Sequence, residues 1–89
     1  MILAKVIGTV WATRKDEKLV GMKLLIVRPV ELSYKEKDDF VVAVDAVGAG
    51  VGEIVLVAQG SSARQTELTE NRPVDATIMA IVDKLDVEE

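Results

Sequence analysis

The chain has 89 residues and among them no cysteine and no histidine. The first absence excludes disulfides and thiol nucleophiles, and the two together remove the commonest ligands of zinc, copper and iron. Serine–histidine–aspartate triads and histidine general bases go with them. Aromatic residues are limited to Trp11, Tyr34 and Phe40, and prolines to Pro29 and Pro73. No apolar stretch reaches the ~20 residues of a membrane-spanning helix. Lys5 interrupts the first apolar run, no basic segment precedes it, and no clean small-residue cleavage site follows. The opening residues therefore do not read as a secretory signal, and the expectation is a soluble cytosolic protein with no membrane partner.

Aliphatic side chains are what the sequence has in plenty. Hydrophobic residues make up 49% of it and aromatic ones 3%, so Val, Ile, Leu, Ala and Met carry nearly all the apolar mass. A disordered chain would lack them. Charged residues make up 29%, with a net charge of −4, which disfavours nucleic acid and anionic lipid as partners. The length fits one domain, residues 1–89, and a chain this short buries only about 60% of its unfolded surface. Small domains compensate with disulfides, metals or self-association. With the usual metal and disulfide residues missing, self-association is what remains.

The apolar residues fall into short, β-branched runs separated by charged or glycine-rich breaks, the pattern of strands. The runs cover residues 2–14, 19–32, 40–47, 53–58 and 74–87. Pro29 cannot donate to a ladder, which puts the end of the second run at an edge or a bend. Residues 33–39 read as an exposed, mobile polar loop. One short helix is expected over 61–68, with Ser62 and Gln65 in the spacing of a capping box. Many short strands and one short helix predict an all-β fold: a small five-stranded, OB-like β-barrel.

Strand faces add a second expectation. By strict alternation, Ala4, Val6, Val10 and Ala12 share one face of the first run, and Leu3, Ile7 and Trp11 the other. Ile54 and Leu56 alternate with Val55 and Val57; Ile78, Ala80 and Val82 oppose Met79 and Ile81. A barrel has one interior, filled by one face of each strand. The second apolar face must meet water or another subunit, and leaving it wet forfeits roughly 1.5–3 kcal/mol per side chain. A parallel sheet covered by helices would also bury both faces, but the chain has no room for the helices. The patterning therefore predicts an oligomer.

Few residue clusters suggest chemistry. Gly48, Gly50 and Gly52 have G-x-G-x-G spacing and lead into a strand, unlike a dinucleotide fingerprint, so they read as a tight connection or a close subunit approach. Gly60, Ser61, Ser62 and Arg64 could hold an anion at a helix start, although capping explains the serines equally well. The candidate carboxylates Asp38, Asp39, Asp45, Glu53 and Asp75 do not form a calcium loop. Asp38 and Asp39 read as a solvated loop; Asp45 and Asp75 read as acceptors for backbone donors or partners of Arg64 or Arg72. Thr13, Arg14, Lys15 and Lys18, diluted by Asp16 and Glu17, read as a hairpin tip. An OB-like nucleic-acid or ligand-binding module is the second functional class, weakened by scattered aromatics and an acidic balance. An enzyme is the third, for want of a nucleophile–base pair.

Several blocks, in order along nearly the whole chain, resemble the bacterial microcompartment vertex proteins of the CcmL/EutN type. They are residues 8–10, 12–15, 19–27, 42–53, 60–64, 73–76 and 81–83. The most specific is V-x-V-D-x-V-G-A-G-x-G-E over 42–53 followed by G-S-S-A-R over 60–64. The resemblance implies a β-barrel subunit that closes into a homopentamer and caps the fivefold vertices of a carboxysome or metabolosome shell in the bacterial cytoplasm. It implies a structural shell protein with no catalysis and no cofactor. Its partners would be its own copies and the hexameric or pseudohexameric tiles of the same shell, with no nucleic acid. It also implies a narrow axial opening. Gly48, Gly50, Gly52, Gly60, Ser61, Ser62 and Arg64 are the candidates for the subunit interface or that opening.

Overall fold

In the computed structural model, which describes residues 1–88, the aliphatic runs form five strands. These are β1 (Ile2–Val10), β2 (Leu24–Pro29), β3 (Val41–Asp45), β4 (Ile54–Gln59) and β5 (Ala76–Ile81). They close a barrel in the order β1-β2-β3-β5-β4, antiparallel at every seam except β3–β5, which is parallel. The expected five-stranded all-β barrel is therefore what forms. Its strands are shorter than the apolar runs. The chain leaves the ladder after Val10, and residues 17–19 make a single 3-10 turn. Gly21, at φ +86°, then turns the chain into β2, which starts only at Leu24.

The interior is built from small aliphatics. Ala4, Val6, Leu25, Val27, Ala43, Val55, Val57, Ala76 and Ile78 are buried together, with Ala49 from the β3–β4 connection packed among them. A narrow barrel has space for such side chains and none for a large ring. All three aromatics are accordingly exposed.

Two bulges revise the face arithmetic. Along β1 the register passes from Val6↔Val27 to Gly8↔Ile26, so Ile7 is an extra residue. Beyond it Thr9, and not Val10, pairs with the buried Leu25. Along β5 the register passes from Ile78↔Val57 to Ala80↔Leu56, which leaves Met79 over. Ile81 thus packs on the same core as Ile78, and Ala80 faces outward beside Leu56. A bulge inserts one residue into a ladder and inverts the faces downstream, which strict alternation cannot anticipate.

The helix over 61–68 is also shorter than expected. Only Gly60–Arg64 coil, as a 3-10 turn. Ser62 Oγ donates to the Gln59 carbonyl (3.1 Å) and does not cap Gln65, so no capping box forms. Thr66 and Thr69 divert the chain just beyond: their hydroxyls lie 2.7 Å apart, and the Thr69 amide donates to Thr66 Oγ1 (3.1 Å). Hydroxyl side chains that bond nearby backbone groups compete with helix propagation in this way. Pro29 stands opposite Ala4 as the last residue of β2; the closed barrel leaves no edge for it, and it sits where the strand ends. The loop beyond it is exposed as expected, yet it is pinned by a Val30↔Glu36 bridge and a turn with Tyr34 at φ 67°.

The 3-10 turn covers a second, smaller cluster on the outside of the barrel. Val44, Ala63 and Val74 are buried there, against Leu19, Met22 and Leu24. Thr77, fully buried, fastens it by donating Oγ1 to the Ala63 carbonyl at 2.7 Å. Thr77→Val keeps the shape and strands that carbonyl, at a cost of roughly 1–2 kcal/mol. A thermal melt should show a drop of about 4–16 °C for a domain of this size. A melt equal to that of the parent chain would mean that the hydroxyl fastens nothing.

Candidate functional site

The β3–β4 connection follows from the needs of its backbone. Gly48 and Gly52 sit at φ +79° and +93°, where only glycine is unstrained. Asp45, buried at the end of β3, accepts from the Val47 amide (3.0 Å) and the Gly48 amide (3.1 Å) through Oδ1. Glu53 Oε1 accepts from the Gly50 amide at 2.6 Å, and a Cβ on Gly50 would stand 3.3 Å from that oxygen. The Gly52 amide donates to Val6 O and the Val6 amide to Glu53 O, which joins the loop to β1. Between these anchors Ala49 packs into the core, and Lys23 Nζ donates to its carbonyl at 3.0 Å. The glycines shape a tight connection, one of the two roles expected of them, and Asp45 satisfies backbone donors. The basic side chain beside Asp45 is Lys23, 4.0 Å away, and not Arg64 or Arg72.

The Gly60–Arg64 turn begins immediately after β4, whereas Gly52 lies two residues before it. The seven candidate residues therefore occupy opposite ends of β4, so a single chain does not bring them together. Gly60, at φ +66°, donates its amide to Asp75 O (2.8 Å), and Arg64 donates to Val74 O (3.0 Å). Arg64 is exposed and lends one guanidinium N–H to that carbonyl, and with only a 3-10 turn behind the serines the helix start that would hold an anion does not form. Ser61 and Ser62 face solvent. No three carboxylates gather closely enough to hold a metal ion among the described residues, and no helix there is long and apolar enough to cross a membrane.

Sequence reasoning missed how the apolar outer face is divided. Leu3 and Leu56 are cross-strand partners, as are Leu56 and Ala80, and all three point away from the core on β1, β4 and β5. Ile54 and Val82 extend this row, joined by the Val82 amide donating to Ile54 O. On the β2–β3 side Ile26 pairs with Val42, and both face outward, with Phe40 just before β3. Val42 is 41% exposed and Phe40 61%. Lys5 and Arg28, both facing Glu36 at 3.7 Å, separate the two patches on one flank. The barrel thus carries two apolar patches on different sides.

Comparison with known proteins bears on these surfaces. The family described as ethanolamine utilisation protein EutN/carboxysome matches residues 1–83. The chain is 47% identical to the carboxysome shell vertex protein CcmL of Nostoc sp. PCC 7120, over 100% of this chain and 89% of that protein. The solved structure of Nostoc CcmL superposes with a TM-score of 0.95, covering 99% of this chain and 93% of the other. The microcompartment shell vertex protein PduN of Salmonella typhimurium is 47% identical, over 96% of this chain and 98% of its own. The GrpN pentameric microcompartment shell protein from Rhodospirillum rubrum superposes with a TM-score of 0.91 at 45% identity, covering 99% of this chain and all of that one. The barrel order, the 42–53 connection and the 60–64 turn thus sit in a chain that belongs to the EutN/CcmL family of microcompartment shell vertex proteins.

Proposed function

We propose that this chain closes into a homopentamer that caps the fivefold vertices of a bacterial microcompartment shell. The observation that carries the reading is the pair of separate apolar patches. A cyclic ring is built from heterologous contacts, in which one surface of each subunit meets a different surface of the next. A two-fold dimer needs one self-complementary patch; a ring needs two, on different sides, as the Leu3–Leu56–Ala80 row and the Ile26–Val42 pair supply. Identity of 45–47% over nearly the whole chain to shell vertex proteins, one of them pentameric, supports the count of five.

Geometry supplies the mechanism. A sheet of hexagonal tiles is flat and closes only where fivefold positions interrupt it, and a ring of five fills such a position. The work is done by shape and by covered apolar area, and it draws on no reacting group of this chain. The tiles of the same shell are its external partners, and the shell lies in the bacterial cytoplasm. Native mass spectrometry tests the ring and electron microscopy tests the cap. The expected mass is five times the 9.7 kDa chain, and cells lacking every such pentamer should hold open or elongated shells. Single chains at micromolar concentration, or closed polyhedra in those cells, would overturn the reading.

A further inference from the structure

We propose that the C-terminal segment of each chain, residues 83–88, docks in the groove beside Trp11 of the neighbouring copy. The inference rests on the ring proposed above and adds to it a segment, a receptor and a direction. The groove is a cleft of about 340 Å³ where β1 ends and β2 begins, lined by Val10, Trp11, Ala12, Lys15, Met22 and Lys23. Trp11, the chain's only tryptophan, is 90% exposed at its edge, the most solvent-accessible of the large hydrophobic residues. A large ring held in water beside an apolar cleft marks a contact surface.

The segment that fits it leaves β5 without hydrogen-bonded anchorage, with Leu85 half-buried and Val87 50% exposed. The Val82 amide still donates to Ile54 O, but among the described residues none of 83–88 hydrogen-bonds to the rest of the chain. Among the described residues its ion pair is internal, Lys84 to Asp86 at 3.6 Å, with both side chains about four-fifths exposed. In extended form Leu85 and Val87 project to one side, and Asp86 and Glu88 to the other. That pattern matches a receptor with an apolar floor and cationic margins. Lys15 donates to the Ala12 carbonyl and Lys23 to the Ala49 carbonyl, with Asp45 also 4.0 Å from Lys23, and each ammonium keeps donors to spare.

Charge and direction agree. Between β1 and β2 stand Arg14, Lys15, Lys18 and Lys23 against Asp16 and Glu17, so this connection is basic in an acidic protein. Beyond β5 stand Asp83, Asp86, Glu88 and Glu89 against Lys84 alone. β5 runs parallel to β3, and β3 parallel to β1 through the antiparallel β2, so the acidic segment leaves the barrel in the direction in which β1 delivers Trp11. A ring relates its copies by rotation alone, which brings that end of one barrel beside the same end of the next. Six extended residues reach roughly 20 Å at 3.3 Å each, comparable to the 20–23 Å short dimensions of the molecule. Within a single chain the groove is open, which leaves it to the neighbour.

The absence of cysteine makes the test clean. Chains carrying Ala12→Cys are co-expressed with differently tagged chains carrying Leu85→Cys, Asp86→Cys or Val87→Cys, and the purified rings are oxidised. At least one pairing should give a disulfide joining the two tags on a non-reducing gel, and a chain bearing both substitutions should give a ladder ending at five. Trp11 emission provides a second readout. Deleting residues 83–89 should shift it to longer wavelength and increase its quenching by acrylamide, with the five-copy mass retained. Five-copy rings that yield no inter-tag product at any position, or an emission unmoved by the deletion, overturn the docking and leave the ring standing. Single chains in native mass spectrometry overturn both.

Discussion

Leu56→Glu converts the five-copy species into single chains that remain folded. Leu56 stands at the centre of the outward row on β1, β4 and β5, between Leu3 and Ala80. Its neighbours Val55 and Val57 fill the interior, so a change at position 56 leaves the core alone. The substitution forfeits roughly 1.5–3 kcal/mol of leucine burial at each seam. It also places an unpaired carboxylate there, whose desolvation adds further kilocalories. Each 1.4 kcal/mol is a factor of ten in association, and the ring has five such seams. Native mass spectrometry reads the mass and circular dichroism the barrel. The matching control is Lys35→Glu on the exposed loop over 33–39, outside both patches and the Trp11 groove, which should leave the mass unchanged.

The same logic distinguishes a ring from a two-fold pair. Val42→Glu disables the other patch, beside Ile26, and should also yield single chains. When the two disabled chains are mixed, each retains the patch the other needs. One intact seam can then form, and the mixture should advance to a heterodimer and no further. A two-fold dimer would behave otherwise, because one of the two substitutions would leave its single self-complementary patch untouched. Full rings from the mixture, or an unaffected assembly in either variant alone, would show that the seam lies elsewhere on the barrel.

The parts of this architecture that were legible in the sequence are those set by local chemistry. Runs of Val, Ile and Leu broken by glycine and charge announce short strands, and apolar residues on both faces announce a covered exterior. Where the faces change over was hidden. Ile7 and Met79 look like any other strand residues, yet each is a bulge that inverts the strand faces beyond it. Nothing local marks them, because a bulge is set by the register of the neighbouring strand. The 60–64 motif was legible as a turn but not as what the turn does. Arg64 donates to Val74 O and Ala63 is pressed into the outer cluster, relations that only the closed barrel creates. The division of the outer surface into two patches is likewise a property of strand order, since Leu3 and Ala80 are far apart in sequence and flank the same Leu56.

Asp45 shows how local and tertiary causes meet, and its removal should have the largest effect on stability of any single polar change. Its Oδ1 alone holds the Val47 and Gly48 amides, and these set the turn that carries Ala49 into the core. Asp45→Ala leaves both amides to find water in a partly buried turn, at a cost of about 2 kcal/mol in total. For a domain of this length that is a fall in melting temperature of roughly 8–16 °C, measured at fixed protein concentration because assembly shifts the apparent value. Asp45→Asn retains a carbonyl oxygen in the accepting position and loses only the charge facing Lys23, 4.0 Å away, whose side chain is about half exposed. A partly exposed ion pair of that length contributes under about 1 kcal/mol, so asparagine should recover most of the loss. If alanine and asparagine were equally destabilising, the charge, and not the accepted hydrogen bonds, would hold the connection in place. The order expected from the geometry is aspartate first, asparagine close behind and alanine well below.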